Sequence, residues 1–230
     1  MKKHGRVYVE ASSKVEKNKA YTTTEAVELV KSISNRKFDE TVEVSLNLNI
    51  DTTKADQQVR SSFVLPHGTG KTKRILVVTK TQAEEAKKAG ADFVGAEDMV
   101  DKISKENWFD FDVIVATPEM MVALGKLGKV LGPKGLMPNP KTGTVTTNVA
   151  AAIENIKKGM IEYKADNTGN VHVLVGKVSF TAKQLEENIN ALINEIIKNK
   201  PTGVKGTFVK NISISSTMGP GIKIDKTLFM

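Results

Sequence analysis

The residues best suited to binding chemistry stand at the start of a predicted strand. Lys37 supplies a cation and Phe38 an aromatic ring, and from Thr41 to Ile50 polar and apolar residues alternate without a break. The apolar members are Val42, Val44, Leu46, Leu48 and Ile50, and the polar ones are Thr41, Glu43, Ser45, Asn47 and Asn49. Period-two alternation predicts a strand with one buried and one exposed face. A polar face edged by a cation and a ring can hold nucleic acid, although the solvated outer face of an ordinary sheet has the same pattern.

The sequence offers no arrangement of residues for catalysis or metal binding. It contains no cysteine, which fits a reducing compartment, and His4, His67 and His172 are too scattered to indicate a metal site. The carboxylates of Asp110-Phe111-Asp112 precede a predicted strand, where a turn or cap is commoner than a catalytic pair. We therefore predict a protein that is not an enzyme and uses no metal or cofactor.

One stretch resembles a phosphate-binding loop. In Gly68-Thr69-Gly70-Lys71-Thr72, a lysine follows glycines as it does in nucleotide-binding loops. The Walker pattern needs an earlier glycine where Leu65 stands, and the dinucleotide fingerprint needs one where Lys73 stands. The strand also follows this stretch instead of preceding it. We interpret it as a turn.

The charge balance points to a polyanionic partner. The net charge is +8, and nucleic acid is a commoner partner for such a protein than an anionic membrane surface. Residues 1–20 hold six lysines or arginines against two glutamates. Residues 120–153 hold no acidic residue and carry four lysines: Lys126, Lys129, Lys134 and Lys141. Glycines and prolines crowd residues 125–140, which predicts an irregular loop that either contacts RNA or carries solvated lysines.

The two ends of the chain have the pattern of antiparallel strands with amphipathic helices. Capping boxes at Thr22–Glu25 and Thr181–Gln184 predict helices at 23–34 and from 182 to Pro201. Further strands are expected at 58–65, 161–165, 171–175 and 208–216, with a hairpin turn at 166–170. In the last strand Phe208, Lys210, Ile212 and Ile214 are expected on one face.

The middle of the chain has a different pattern. Apolar runs at 75–78, 91–95 and 113–116 alternate with predicted helices at 82–89, 97–104 and 148–158, and Thr117-Pro118 is expected to cap another helix. Alternating strands and helices predict a parallel, doubly wound unit. The fold class is therefore mixed α/β (α+β), with a discontinuous domain at 1–66 and 160–230 and an inserted domain at 67–159.

Several short runs together resemble one known family. They are Lys37-Phe38-Asp39-Glu40-Thr41-Val42-Glu43, Leu65-Pro66-His67-Gly68, Gly90-Ala91-Asp92, Phe111-Asp112, Ala116-Thr117-Pro118, the glycine-rich run Gly125 to Pro140, Lys205-Gly206-Thr207-Phe208 and Thr217-Met218-Gly219-Pro220. In this order they resemble the family of the large-subunit ribosomal protein conventionally numbered one, in its bacterial form. The resemblance covers nearly the whole chain and implies an RRM-like α/β plait with an inserted Rossmann-like domain.

The resemblance also implies a function and a set of RNA contacts. Family members bind large-subunit (23S) rRNA at a mobile stalk of the large ribosomal subunit near the tRNA exit site, help release exit-site tRNA, and repress translation of their own operon mRNA. The residues carried over are Lys37, Phe38, Thr41, Thr217, Met218 and Gly219, with Lys164, Asp166 and Ser179 as weaker candidates. Short polar groups, glycine amides and flat apolar side chains suit RNA. Met218 has a second interpretation, as a core methionine.

The length of the apolar runs bears on the location of the protein. No apolar run has the length of a signal peptide or a membrane span, so we expect a cytoplasmic protein on the ribosome, with no membrane partner and monomeric when free. One alternative is a small-molecule enzyme with its site at the strand ends near Thr79 and Thr117. Another is general basic adhesion to nucleic acid, insensitive to RNA sequence and shape.

Overall fold

The computed structural model describes residues 5–16 and 18–229. The chain divides into two compact units. Unit one consists of Met1–Gly70 with Ile161–Met230, and unit two of Lys71–Met160. Both mix helices and strands, and the molecule contains antiparallel and parallel sheets.

The elements are named here in chain order. The helices are α1 (Arg6–Ser13), α2 (Thr23–Ile33), α3 (Ala83–Lys88), α4 (Glu97–Glu106), α5 (Met121–Gly125), α6 (Gly128–Leu131), α7 (Val149–Lys157) and α8 (Ala182–Lys198). The strands are β1 (Thr41–Leu48), β2 (Arg60–Val64), β3 (Ile75–Val78), β4 (Phe93–Gly95), β5 (Val113–Ala116), β6 (Met160–Lys164), β7 (Asn170–Lys177), β8 (Val209–Ser216) and β9 (Ile222–Ile224).

Unit one is built on an antiparallel sheet of order β7-β1-β8-β9. The predicted alternation in β1 is confirmed, since Val42, Val44, Leu46 and Leu48 are all buried. The strand is shorter than the pattern suggested, because it begins at Thr41 and ends at Leu48. Its neighbour β8 ends opposite Val42, at Ser216, so the residues before Thr41 have no β8 residue to pair with.

Two capped helices supply much of the core of this unit. Both predicted capping boxes are present, at Thr22 with Glu25 and at Thr181 with Gln184. The apolar residues of α8 that are buried are Leu185, Ile189, Leu192, Ile193 and Ile196. They share one hydrophobic core with α2 and with the buried residues of the sheet.

The structure corrects several expectations for unit one. Strands β6 and β7 meet in one bridge, between Ala165 and Val171, and otherwise β6 pairs with β2 and β7 with β1. The turn predicted at 166–170 is present, and in it the Asp166 amide donates to the Asn170 carbonyl (2.8 Å). Lys210 is exposed and does not share a face with Ile212, because the β1–β8 register shifts between Asn47 and Leu48. Sequence patterns also missed the short strand β9 and the helix α1.

Unit two contains a parallel sheet of order β4-β3-β5. Alternate residues of β3 and β5 enter two separate cores, and all four residues of β3 are buried. One core also contains residues of α4 and α5, and the other contains residues of α3 and α7. Helices therefore cover both faces of the sheet, as the continuous apolar runs predicted.

Two expectations for unit two are corrected by the structure. Thr117 precedes a short 3-10 turn and its side chain accepts no capping bond, and its buried hydroxyl has no partner among the described residues. Residues 125–140 are not wholly irregular, because they contain α6. Leu127 and Leu131 are buried, and their contacts stabilise a helical turn despite the glycines around them.

Within residues 5–16 and 18–229, no helix has the length and apolar character needed to cross a membrane.

Candidate nucleic-acid interface

The chain brings together two distant segments at one end of the central strand of unit one. The Thr41 amide donates to Oγ1 of Thr217 (2.9 Å), and the Thr217 amide donates to the Thr41 carbonyl (3.0 Å). The start of β1 thereby lies against the turn that follows β8. We call the candidate residues of these two segments the lip: Lys37, Phe38, Thr41, Thr217, Met218 and Gly219.

The lip exposes two large apolar side chains. Phe38 is 53% exposed and Met218 is 51% exposed. Phe38 is the only aromatic side chain of the described residues in the exposed class. The interpretation of Met218 as a core methionine is therefore wrong. Lys37 is exposed as well, so the lip offers a cation beside flat apolar surface, which is typical of a binding site.

Two hydrogen bonds fix the backbone of the turn that follows β8. Oε2 of the buried Glu40 accepts a hydrogen bond from the Met218 amide (3.0 Å), and the Ser216 carbonyl accepts one from the Gly219 amide (3.0 Å). A Cβ atom on Gly219 would lie 2.5 Å from Oγ of Ser216. Only glycine therefore fits at position 219 without displacing Ser216.

Ser179 lies beside the lip, as does a lysine that sequence analysis missed. The Ser179 amide and hydroxyl donate to the two carboxylate oxygens of Asp39 (3.1 and 2.8 Å). Lys177 donates to the Asp39 carbonyl (3.1 Å) and to Oγ1 of Thr41 (3.0 Å). Only the register of β1 with β7 places Lys177 opposite Thr41, and no local pattern in the sequence reveals that register.

The structure does not bring Lys164 and Asp166 to the lip. In the β1–β7 register Thr41 lies opposite Lys177 and Asn47 opposite Asn170, so the Asp166 turn follows the far end of β1. Six strand residues separate those ends by about 20 Å. Lys164 is exposed at the end of β6, a strand of the other sheet of unit one.

The carboxylate of Asp166 is occupied by its own turn. It accepts hydrogen bonds from the Asn170 amide (2.7 Å) and from the amide and hydroxyl of Thr168 (both 2.8 Å). These bonds, the Asn170 amide first, lower the pKa of Asp166 from 3.8 to about 2. Hydrogen bonding to the charged form explains that direction.

A polar row of side chains extends along the sheet between its two ends. Ser45 bonds to Nδ1 of His172 (3.0 Å), and the Asn47 amide group donates to Oδ1 of Asn170 (2.6 Å). On the other side of β1, Ser213 stands opposite Ser45. These short polar groups form the partly exposed face that the alternation in β1 predicted.

The four lysines of the glycine-rich segment in unit two are exposed. They are Lys126, Lys129, Lys134 and Lys141. Nζ of Lys134 lies 3.9 Å from the centre of the Phe109 ring, a cation–π distance. The Gly68-to-Thr72 stretch is a turn with positive φ at Gly68 and Gly70, and Gly70 packs against Phe180.

Comparison with known proteins identifies the family. The family described as "Ribosomal protein L1p/L10e family" matches residues 30–220. Three similar proteins each bear the name "Large ribosomal subunit protein uL1". The one from Mycoplasma capricolum subsp. capricolum is 60% identical over 225 residues, covering 98% of this chain and 100% of that protein. The one from Mesoplasma florum is 62% identical over 211 residues (92% and 93%), and the one from Thermosipho melanesiensis is 56% identical over 226 residues (98% and 97%). The chain therefore belongs to the ribosomal protein L1p/L10e family, whose members are structural and not enzymatic proteins.

Proposed function

We propose that this chain is a constituent of the large ribosomal subunit that binds large-subunit (23S) rRNA through the lip. The observation that carries the proposal is the junction of Thr41 with Thr217, which places half-exposed Phe38 and Met218 on adjoining segments. Neither side chain belongs to the core of unit one, and two exposed apolar side chains on adjoining segments are typical of an interaction site.

The chemistry of the lip suits RNA better than a general polyanion. A-form RNA presents ribose hydroxyls and base edges in a wide, shallow minor groove, and unpaired bases stack on aromatic side chains. Phe38 offers a ring, Lys37 offers a charge for phosphate, and the Gly219 position brings backbone close to the surface. General basic adhesion would need only exposed lysines and would not use the apolar side chains of Phe38 and Met218.

The finer roles rest on the family resemblance. They are binding at the base of the mobile stalk near the tRNA exit site, assistance in releasing exit-site tRNA, and repression of the protein's own operon mRNA. The lip is a single surface, so rRNA and operon mRNA would exclude each other from it. Repression would then begin only when free rRNA sites are filled, which follows from mass action.

The proposed architecture is an RRM-like plait at 1–66 and 160–230 with a Rossmann-like domain inserted at 67–159. An antiparallel sheet of order β7-β1-β8-β9 with α2 and α8 in its core supports the first assignment, and a parallel sheet covered on both faces supports the second. The lip residues all belong to the first domain. We propose that the free protein is a cytoplasmic monomer that joins the ribosome.

Substitution of Met218 by aspartate tests the proposal. A carboxylate on this turn would face the RNA phosphates and lose its hydration on binding, so Met218→Asp should weaken binding of a 23S rRNA transcript by about 3 kcal/mol, on the order of a hundredfold. Leu228→Asp is the matched control, because Leu228 belongs to the same unit and is 54% exposed. Filter binding at high salt is the measurement, since nonspecific cationic binding fades there.

The outcome separates the proposal from its competitor. Equal affinity of Met218→Asp and Leu228→Asp, with both proteins folded by circular dichroism, would remove the lip as the RNA site. Wild-type binding that does not distinguish the 23S transcript from an unrelated RNA of equal length would favour general basic adhesion.

A further inference from the structure

Glu40 is a buried carboxylate beneath the lip. It is 3% exposed and is the only charged residue of the described part of the chain that is buried. No lysine, arginine or histidine among the described residues forms an ion pair with it. Burying a carboxylate without a cation is costly unless hydrogen bonds compensate, so its position calls for an explanation.

The one hydrogen bond that this carboxylate makes goes to the lip. Oε2 of Glu40 accepts from the Met218 amide at 3.0 Å, and no donor in the described residues contacts Oε1. The carboxylate therefore acts on the orientation of a single peptide group, the one that carries Met218.

The backbone on both sides of Glu40 is anchored. Its own carbonyl accepts from the Val178 amide (2.9 Å), Asp39 is held by Ser179, and Thr41 is held by Thr217. The carboxylate thus extends from the anchored segment just before β1 to the turn that follows β8. Thr217 and Gly219 have backbone partners of their own, whereas Met218 donates its amide to Glu40 alone.

We infer that Glu40 is the positioning residue of the lip. Its buried carboxylate holds the Met218 peptide in the orientation that presents the Met218 side chain, so that the turn is ordered before RNA arrives. Ordering a flexible turn on binding costs affinity, and fixing it in the free protein removes that cost. Glu40 itself does not contact RNA, because its side chain is buried. This inference rests on the proposed function of the lip.

Two substitutions of Glu40 distinguish an acceptor from a charge. Glu40→Gln keeps an oxygen that can accept from the Met218 amide, whereas Glu40→Ala removes it. We expect Glu40→Ala to weaken binding of a 23S rRNA transcript about tenfold or more and Glu40→Gln to stay within about threefold of wild type. Glu28→Ala, at an exposed glutamate of α2, is the control. If Glu40→Ala does not fold, Glu40→Asp, one methylene too short to reach the amide, takes its place.

A spectroscopic signal reports the turn without RNA. In protein labelled at its methionine methyl groups, the Met218 resonance is assigned by its disappearance in Met218→Leu. We expect Glu40→Ala to shift and sharpen this resonance, because the turn gains mobility, and Glu40→Gln to leave it near its wild-type position. A loss of stability alone would not move one methyl resonance in the folded protein.

Failure of this inference is distinguishable from failure of the proposed function. If Met218→Asp abolishes binding while Glu40→Ala binds normally with an unchanged Met218 resonance, Glu40 has no positioning role. A Glu40→Gln variant that is folded but as weak as Glu40→Ala would also overturn it, since charge and not acceptance would matter. If Met218→Asp binds normally, the lip is not the RNA site, and the methyl resonance alone decides what Glu40 does to the turn.

Discussion

Glu40 and Asp166 are carboxylates at opposite ends of β1, and each organises a turn. Glu40 is buried and holds one amide of the turn after β8. Asp166 is exposed and gathers the amides of Thr168 and Asn170 before β7. Both ends of the sheet therefore depend on carboxylate-to-amide bonds. Three hydrogen bonds to Oδ1 of Asp166 fix this turn, whereas its Oδ2 accepts only one longer bond, from the Asn170 side chain (3.3 Å).

The Asp166 turn should make stability depend on pH in the acid range. The pKa of Asp166 is lowered from 3.8 to about 2 by its hydrogen bonds, the Asn170 amide first. A depressed pKa in the folded state means that the contribution is complete above the unfolded pKa and is lost as pH falls through the folded one. The stability difference between wild type and Asp166→Ala should therefore be constant near neutral pH and shrink between about pH 4 and about pH 2.

Urea midpoints of the two proteins, measured from pH 7 to pH 2, check this dependence. Other carboxylates titrate in the same range, and taking the difference between the two proteins cancels most of their contribution. A difference that stays constant down to pH 2 would contradict the role of Asp166 in the folded protein.

At the scale of elements, α8 is the longest helix of unit one, and two side chains cap its start. Oγ1 of Thr181 accepts from the Gln184 amide (3.3 Å), and Oε1 of Gln184 accepts from the Thr181 amide (3.0 Å). Five residues of this helix are buried in the core formed with the sheet. Loss of the cap would therefore destabilise the whole of unit one and not only the first helical turn.

We expect Thr181→Ala to lower the free energy of unfolding by ~1 kcal/mol, the usual cost of losing a threonine cap. Thr202→Ala is the control, since Thr202 is exposed and no side-chain hydrogen bond involves it within the described residues. Chemical denaturation followed by circular dichroism measures both. Equal midpoints for the two variants would show that the cap adds nothing to the stability of the unit.

The sequence predicted the elements whose signals are local. The alternation of β1, both capping boxes and the buried runs of β3 and β5 are each contained in a dozen residues or fewer, and each is confirmed. Strand partners are not local. The turn at Asp166 has the composition of a hairpin, yet β6 and β7 join different sheets. The shift opposite Asn47 that exposes Lys210 also depends on pairing across the sheet.

The residues of the candidate site also differ in whether the sequence alone reveals them. Phe38 and Met218 are recognisable in sequence through the family resemblance. Glu40 and Lys177 were not identified, because their roles come from burial and register. A glutamate before a strand otherwise has the appearance of an ordinary exposed residue. The burial of Glu40 is recognisable only in the folded structure, because nothing in a sequence of net charge +8 marks one glutamate as buried.

The whole molecule divides between Gly70 and Lys71 and again between Met160 and Ile161. The first division lies after the predicted one, because Asn188 of α8 holds Pro66 to Gly70 in unit one. Oδ1 of Asn188 accepts from the His67 amide (3.0 Å), and its amide group donates to the Gly68 carbonyl (3.1 Å). Strands β2 and β6 pair with each other, so the chain leaves and re-enters unit one through neighbouring strands.

Unit one should fold and bind RNA without unit two. Joining Gly70 to Ile161 through a short glycine linker keeps every residue of the lip and the Asn188 contacts. We expect this shortened chain to bind the 23S rRNA transcript within about threefold of the full protein. Filter binding beside circular dichroism is the check. A folded product that fails to bind would show that unit two, with its exposed lysines, supplies part of the interface.

The division of unit one into two chain segments has a consequence for the order of events during synthesis. Strand β1 is made early, but its partners β7 and β8 come only after the whole of unit two. Unit two is contiguous and can fold while the rest is still being made. The contact between Glu40 and Met218 can form only once Met218 has been made, long after Glu40. A growing chain that has not yet reached Thr217 to Gly219 therefore lacks the lip, even when unit two has already folded.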